Sequence, residues 1–226
     1  MVVRGTVQGV GFRPFVYRLA TQLGLSGSVQ NQAGEVRIEV EGSPAVVDRF
    51  LQELRAFPPV LASIRDISCE EQVPTGHSEF QIEDSASGRG GDIGMAPDSA
   101  TCEECLAELF DSANRRYHYP FLNCPNCGPR LTIIQAVPYD RIRTTMSSFP
   151  MCAACRKEYD DPRDRRFHAE PTACAACGPQ LEIWNAAGKP VACDDPLRYA
   201  VAAFRAGSIG AVKGLGGYHL ACDAID

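Results

Sequence analysis

Two cysteine pairs, Cys102-Glu103-Glu104-Cys105 and Cys124-Pro125-Asn126-Cys127, decide the fold of this chain. The loop 106–123 joins them and carries too few apolar residues to fold alone. Thiolates are soft ligands, and four of them arranged as a tetrahedron suit zinc. The stretch therefore predicts a small module that needs a metal, because metal binding would contribute about 10 kcal/mol or more to its folding.

This module is present twice, since residues 102–134 align with residues 152–184. Between the cysteine pairs, Arg115-Arg116-Tyr117-His118 returns as Arg165-Arg166-Phe167-His168. Several motifs repeated at one constant spacing indicate an internal duplication. We therefore predict two structural zinc ions held by eight cysteines: Cys102, Cys105, Cys124, Cys127, Cys152, Cys155, Cys174 and Cys177.

The spacing leaves the detailed arrangement of the two zinc sites open. Either each repeat supplies all four ligands of one ion, or the repeats exchange ligands in an interleaved pairing. His118 and His168 are expected to pack or hydrogen-bond inside their modules, and the alternative is that one of them replaces a cysteine. A four-cysteine site is closed to water and substrate, so the predicted role of the zinc is structural.

The double arginines of the repeats, Arg115-Arg116 and Arg165-Arg166, also allow two interpretations. They form a basic face for an acidic partner, or they are solvated or pair with nearby acids such as Asp111 and Asp161. The three cysteines outside the pairs are expected to be inert buried thiols. They are Cys69, Cys193 and Cys222.

The overall composition is ordinary for a soluble globular protein, with 45% hydrophobic residues and a formal net charge of −6. The acidic balance argues against nucleic-acid binding, which depends on neutralising phosphates. No apolar run of about 18 residues and no signal peptide are found, which argues against a membrane protein. Paired cysteines without an export signal predict metal-bound thiolates in a reducing cytoplasm.

Residues 1–84 alternate between strand and helix patterns. The predicted order is strand, helix, strand, strand, helix, strand, which is the split βαβ arrangement of an α+β, ferredoxin-like domain. A stretch rich in Gly and Ser follows and predicts a flexible linker. The predicted parts of the chain are residues 1–84, a linker over 85–97, a zinc region over 98–190 with repeats at 98–140 and 148–190, and an incomplete α/β segment over 191–226.

A candidate anion site lies between the first strand and the first helix. The glycines of Gln8-Gly9-Val10-Gly11-Phe12-Arg13 allow several backbone N–H groups to turn toward one point. The N-terminus of the following helix adds a partial positive charge, and Arg13 adds a guanidinium suited to phosphate. We predict that Gln8, Gly9, Val10, Gly11, Phe12 and Arg13 form a phosphate-binding loop.

The segment from Val3 to Arg13 resembles the acylphosphatase signature over its whole length. The resemblance implies that Arg13 holds the phosphoryl group of an acyl phosphate. It also implies that Asn31, in Gly27-Ser28-Val29-Gln30-Asn31, orients the attacking water. Both residues are therefore predicted to be catalytic, in a hydrolysis that needs charge neutralisation and a placed water.

The order of an acylphosphatase-like domain and two zinc repeats is similar to that of the HypF family, carbamoyltransferases of NiFe-hydrogenase maturation. Further segments also resemble that family: Phe12-Arg13-Pro14-Phe15-Val16, the segment from Asn123 to Arg130, Pro138-Tyr139-Asp140-Arg141 and the segment from Lys213 to Ala224. The last segment resembles the beginning of a YrdC-like nucleotide-binding domain. Lys213 is then a candidate nucleotide ligand, and the alternative is an exposed lysine after a strand.

The family resemblance implies three steps. The acylphosphatase domain hydrolyses carbamoyl phosphate, the YrdC-like domain uses ATP to form a carbamoyl adenylate, and a final domain transfers the carbamoyl group to a cysteine of the partner HypE for a cyanide ligand of iron. We expect this chain to be an N-terminal fragment limited to the first step. The alternatives are a non-catalytic, zinc-stabilised protein-binding module and a stand-alone acylphosphatase with a zinc-stabilised extension.

Overall fold

The structure of the chain, a computed structural model, describes residues 1–32, 34–86 and 96–225. It divides into two compact units, Met1–Gly178 and Pro179–Asp226. Most of the predicted linker, residues 87–95, lies outside the described residues, and the predicted domain boundaries remain predictions. Among the described helices, none has the length and apolar character that a membrane crossing requires.

The first part of the first unit is a five-stranded sheet with two helices. Its elements are β1 (Val2–Thr6), α1 (Phe12–Gln22), β2 (Ser26–Gln32), β3 (Glu35–Glu41), α2 (Pro44–Ala56), β4 (Ser63–Ser68) and β5 (Phe80–Ile82). The strands lie in the order β4-β1-β3-β2-β5, and all pairs are antiparallel except β2 with β5. The predicted α+β, ferredoxin-like architecture is confirmed.

The core of this domain is formed by apolar residues that alternate with exposed residues along the strands and by the apolar faces of the two helices. Val36 and Ile38 of β3 are fully buried, whereas Arg37 between them is exposed. Val16 on α1 and Phe50 on α2 are likewise fully buried. Each such side chain stabilises the fold by about 1.5–3 kcal/mol relative to an exposed one. The sheet thereby becomes a rigid support for the loop between β1 and α1.

Helix α1 begins at Phe12, so Pro14 lies in its first turn. Its N-cap is Gly11, which adopts the left-handed φ of 72°. Pro14 is tolerated in the first turn because its missing N–H has no intrahelical partner there. This start places Arg13 in the first turn of α1, directly after the glycine loop.

The two cysteine repeats share one local design with little regular structure. Helix α3 (Glu103–Phe110) and helix α4 (Ala153–Asp160) each begin directly after the first cysteine of a repeat and carry the second one. Two short 3-10 helices, Arg141–Arg143 and Thr145–Ser148, lie between the repeats. A small core surrounds the first repeat and is built mainly from cysteines and a few apolar side chains: Cys105, Tyr119, Leu122, Cys124, Cys127, Ile133, Met146 and Ala173.

The second unit holds two hairpins and one helix. They are β6 (Ile183–Trp184), β7 (Pro190–Val191), α5 (Pro196–Arg205), β8 (Gly210–Lys213) and β9 (Tyr218–Ala221). Asp195 caps α5 by accepting a hydrogen bond from the Arg198 backbone N–H at 2.9 Å. Lys213 is exposed at the end of β8, opposite Tyr218. Its nucleotide-binding role stays a prediction.

Candidate functional site

The eight predicted ligands form two groups of four, and each group comes from one repeat. Cys102, Cys105, Cys124 and Cys127 make one group, and Cys152, Cys155, Cys174 and Cys177 make the other. All ligand atoms of a group lie within 4.8 Å of one another, and all eight cysteines are free thiols. The within-repeat arrangement is therefore the one that the structure adopts, and the interleaved pairing is excluded for these residues.

The sulfur geometry fits a tetrahedral zinc ion. A Zn–S bond of about 2.3 Å implies sulfur atoms about 3.8 Å apart along the edges of a tetrahedron. The Sγ atoms of Cys124 and Cys127 are 3.8 Å apart, and those of Cys102 and Cys124 are 3.7 Å apart. In the second repeat, Cys174 and Cys177 are 3.8 Å apart. Each set is complete with four thiolates, which fits a structural ion.

Neither histidine of the repeats joins a cysteine group among the residues described. Both adopt a left-handed backbone conformation, with φ of 56° at His118 and 51° at His168. The His118 N–H donates to the Leu109 carbonyl at 2.9 Å, and the His168 N–H donates to the Tyr159 carbonyl at 3.0 Å. Each histidine therefore hydrogen-bonds inside its module through its backbone, as expected, while the side chain of His118 is exposed and that of His168 is partly buried.

The double arginines form ion pairs between the repeats. Arg115 and Arg116 contact Glu158 of the second repeat, with closest distances of 2.5 Å each. Arg165 and Arg166 contact Glu108 of the first repeat. The predicted basic face is therefore wrong, because Arg116 and Arg166 are almost fully buried. The other interpretation, pairing with acids, is confirmed, but the partners are Glu158 and Glu108 in place of Asp111 and Asp161.

These ion pairs keep two partly buried carboxylates ionised. Burial alone would raise the pKa of Glu108, but hydrogen bonds and charge from Arg166 and Arg165 outweigh it and lower the pKa to about 2. The pKa of Glu158 is lowered to about 2 in the same way by Arg115 and Arg116. Both glutamates are therefore anionic partners of the arginines at neutral pH.

The expectation that the three remaining cysteines are buried is wrong. Cys69 and Cys222 are exposed, and Cys193 is partly exposed. Cys69 follows β4 directly, at the edge of the sheet, and Cys222 follows β9. Both therefore lie where a strand ends, outside any core.

The predicted phosphate loop has the backbone conformation that the glycine pattern implies. Gly9 and Gly11 adopt φ of 71° and 72°, which suits glycine because other residues meet a steric penalty there. Val10 and Phe12 point into the core and are nearly fully buried. Their contribution to a ligand would therefore come from the backbone, with the N-terminus of α1 directly behind the loop.

The two predicted catalytic residues lie side by side. Arg13 is 8% exposed and Asn31 is 1% exposed. With its amide oxygen turned toward Arg13, Asn31 accepts hydrogen bonds from Nε at 3.1 Å and from Nη2 at 3.2 Å, and this orientation satisfies both ends of the amide. Strand β2 and the start of α1 thus bring together residues that are far apart in the chain.

The zinc region covers this site and contributes two carboxylates to it. The Nη2 atom of Arg13 lies 3.1 Å from an oxygen of Asp140 and 3.1 Å from an oxygen of Glu170. Its Nη1 atom donates to the hydroxyl of Ser85 at 3.3 Å. The guanidinium is therefore held from three directions. A cavity between the loop and the zinc region is lined by residues of both, including Gly9, Arg13, Asn31, Pro125, Tyr139 and Glu170.

Arg130 connects the first cysteine group to the phosphate loop. It is 1% exposed, and its Nε donates to the Gly9 carbonyl. Its Nη2 donates to the carbonyls of Cys124 and Pro125 at 2.8 and 2.9 Å, and its Nη1 donates to the Cys127 carbonyl at 3.1 Å. One buried guanidinium thus joins the backbone around two metal ligands to the backbone of the anion loop.

Gln8 supports the loop through its side chain. Its Nε2 donates to the carbonyls of Gln32 and Glu35 at 2.8 and 3.2 Å, and its Oε1 accepts from the Tyr139 backbone N–H at 3.2 Å. Gln8 is 2% exposed. Its side chain therefore fixes the loop against the turn between β2 and β3 and against the zinc region.

Close approach of the zinc region leads to a prediction for Gly11→Ala. A Cβ at Gly11 would lie 2.8 Å from the Pro125 Cβ, in addition to the left-handed φ. The matched control is Gly24→Ala, because Gly24 has φ of 66° with nothing within 4 Å. We expect Gly24→Ala to lower the free energy of unfolding by about 1–2 kcal/mol, and Gly11→Ala to lower it further. Chemical denaturation measures both, and equal losses would contradict the close contact.

Several residues of the site were not recognised as site residues from the sequence. Arg130, Tyr139 and Asp140 stood only within family-like motifs, and Glu170 was not singled out. His168 also lines the cavity, and burial together with the nearby charge of Arg13 lowers its pKa to about 4. Neither the family-like motifs nor the neighbouring cysteine repeats reveal a contact with the first domain.

Comparison with known proteins gives matches for both parts of the first unit. The family model described as Acylphosphatase matches residues 1–82, and the model described as HypF finger matches residues 101–134 and 151–184. The acylphosphatase of Thermotoga maritima is 44% identical over 81 residues, which cover 35% of this chain and 89% of the relative.

Longer relatives match nearly the whole chain. Carbamoyltransferase HypF2 of Cupriavidus necator is 55% identical over 225 residues, which cover 98% of this chain and 28% of the relative. The crystal structure of full-length HypF in a phosphate- and nucleotide-bound form superposes with a TM-score of 0.93 at 44% identity, and the match covers 100% of this chain and 29% of that one. With both of its modules and their order matched, the chain belongs to the HypF family.

Proposed function

We propose that the first domain of this chain hydrolyses acyl phosphates, with carbamoyl phosphate as the substrate. The observation that carries the proposal is the contact between Arg13 and Asn31 beside a loop whose two glycines have positive φ. Similarity to acylphosphatases over residues 1–82 supports it. The carbamoyl group is proposed because the relatives that match the whole chain are named carbamoyltransferases.

The proposed mechanism needs one cation, one amide and one water. The guanidinium of Arg13 and the N–H groups of the loop would neutralise the phosphoryl oxygens. The Asn31 amide, which is anchored on Arg13, would hold a water for attack. No covalent intermediate on the protein is required, because placement and charge supply the rate enhancement. The products are phosphate and carbamate.

Zinc has a supporting role in this proposal. Two structural zinc ions in the cysteine groups would supply folding energy to the repeats, because a closed four-cysteine site has no position for substrate. The folded repeats then present Arg130, Asp140 and Glu170 to the loop and to Arg13. The metal would thus act on the site only through the shape of the zinc region.

The complete protein would carry out further steps. The chain spans 28% of the length of the Cupriavidus necator relative. We propose that the whole protein uses ATP to form a carbamoyl adenylate and passes the carbamoyl group to HypE during hydrogenase maturation. Lys213 would contact the nucleotide or the carbamoyl group. A full-length protein that forms no carbamoyl adenylate from carbamoyl phosphate and ATP would contradict this part.

One observation favours a second candidate function, a non-catalytic protein-binding module. Asp140 and Glu170 already contact Arg13, and two carboxylates compete with a phosphoryl group for one guanidinium. Phosphate release from carbamoyl phosphate, measured against the spontaneous rate without protein, distinguishes the two. Release at the spontaneous rate would favour the binding module.

Asn31→Ala tests the proposed placement of the water. We expect kcat for carbamoyl phosphate to fall about 100-fold, because a misplaced nucleophile loses the benefit of orientation. KM should change little, since Arg13 and the loop still bind the phosphoryl group. The control is Gln30→Ala on the same strand as Asn31, which removes a partly exposed side chain that donates to the Asp84 carbonyl. An unchanged kcat in Asn31→Ala would remove Asn31 from the mechanism.

A further inference from the structure

We propose that the two repeats share the surroundings of their metal sites, because Arg115 and Arg165 each donate an N–H to a cysteine sulfur of the other repeat. The Nη2 of Arg165 lies 3.0 Å from the Cys105 Sγ. The Nη2 of Arg115 lies 3.2 Å from the Cys155 Sγ. Each repeat would thereby stabilise the metal site of its neighbour. This proposal does not depend on the proposed hydrolysis.

The glutamates explain why the arginines reach these sulfurs. Glu108 lies one helical turn after Cys105 on α3, so both side chains are on one face of the helix. Arg165 Nε donates to Glu108 Oε1 at 2.8 Å while its Nη2 points at Cys105. The planar fork of arginine can contact a carboxylate and a sulfur at once.

The second repeat has the mirror arrangement. Arg115 Nε donates to Glu158 Oε1 at 2.9 Å, and Glu158 lies one turn after Cys155 on α4. The same contact made twice, by residues at matching positions, follows from the duplication. A chance surface contact would not be expected at both places.

The second arginine of each pair holds the other cysteine pair of the neighbouring site. Arg166 Nε donates to the carbonyl of Asn123 at 3.0 Å, directly before Cys124. Arg116 Nε donates to the carbonyl of Ala173 at 2.8 Å, directly before Cys174. Both cysteine pairs of each metal site therefore have an arginine of the other repeat beside them. Neither repeat supplies all the hydrogen bonds around its own metal site.

The hydrogen bonds from the arginines act on the negative charge of the thiolates. Four thiolates around one divalent cation leave net negative charge, and Cys105 and Cys155 are fully buried. N–H donors to the sulfurs disperse that charge and make the thiolates less nucleophilic, as partners around metal ligands generally tune those ligands. Loss of Arg165 should therefore act on Cys105, which is far away in the sequence, and should leave Cys155 unaffected.

The test is alkylation of the zinc-loaded protein with N-ethylmaleimide, with the labelling rate of each cysteine followed by peptide mass spectrometry. In Arg165→Ala we expect Cys105 to react about tenfold faster, and Cys155 to react at the parent rate. In Arg115→Ala we expect the reverse. The control is Arg163→Ala, whose side chain is 90% exposed and pairs with Asp161 of its own repeat. Equal labelling changes at both cysteines, or none, in folded variants would overturn the proposal.

Two further measurements keep the proposal testable if the alanine variants do not fold. Arg165→Lys and Arg115→Lys keep the charge and lose the fork, so each should show a smaller rise at the same cysteine as its alanine counterpart. In Arg165→Lys, a chelator in excess should release zinc from the first repeat faster than in the parent protein, and from the second repeat at the parent rate. An unchanged rate of zinc release from the first repeat of this variant would also overturn the proposal.

Discussion

Arg13→Ala is expected to lower the rate of phosphate release from carbamoyl phosphate by about two to three orders of magnitude. The guanidinium is the cation that the structure places beside both the glycine loop and Asn31. Without it, the negative phosphoryl group would face Asp140 and Glu170 without compensation. Both binding and chemistry should suffer, so kcat/KM is the quantity to measure.

The same substitution disturbs a buried charge cluster, so folding must be controlled. Removing one partner of a buried ion pair costs about 3–5 kcal/mol when the other charge stays unpaired. Burial raises the pKa of Glu170 and the charge of Arg13 opposes that rise, so the variant should raise this pKa further. Arg13→Lys is the companion variant, because it keeps the positive charge and loses the bidentate geometry.

A matched control is available on the same sheet. Arg37 on β3 is exposed and pairs with Glu39, so Arg37→Ala removes an equal charge away from the loop. We expect Arg37→Ala to hydrolyse carbamoyl phosphate at the parent rate. Parent-like release by a folded Arg13→Ala protein would disprove the proposed site, whereas an inactive parent would favour the non-catalytic module.

The sequence predicted the elements that depend on local patterns. Alternating apolar residues such as Val36 and Ile38 sufficed for the strands, and the glycines beside Arg13 sufficed for the loop. The repeated spacing sufficed for the eight cysteines, because metal ligation imposes a short-range geometry. In these cases the physical cause and the sequence signal lie within a few residues of each other.

The contacts between repeats and between domains had no such signal. The sequence around Arg165 is the same whether its side chain is solvated, pairs with Asp161 or reaches Glu108. In the structure it pairs with Glu108. Asp140 and Glu170 likewise contact Arg13 only because the zinc region folds over the loop. Buried ion pairs depend on which surfaces of the folded chain pack against each other, and a single sequence does not reveal those surfaces.

The second large effect is expected from Cys105→Ser. Cys105 is fully buried and is one of four ligands of the first group. Structural zinc contributes about 10–16 kcal/mol to the folding of small modules. The free energy of unfolding of a typical domain is only about 5–15 kcal/mol, so loss of the zinc can cancel all of it. We therefore expect the variant to lose zinc from the first repeat and to unfold there. Native mass spectrometry and limited proteolysis over residues 101–134 measure both effects.

The control for this variant is Cys69→Ser, because Cys69 is exposed and belongs to neither cysteine group. It should keep two zinc ions and the protease resistance of the parent. Unfolding in Cys105→Ser should also release Arg130, whose guanidinium is held by the carbonyls of Cys124 and Cys127 and in turn holds Gly9. Hydrogen exchange at the loop should therefore rise in Cys105→Ser and stay unchanged in Cys69→Ser. A folded Cys105→Ser protein that retains two zinc ions would show that the first repeat does not need its full thiolate set.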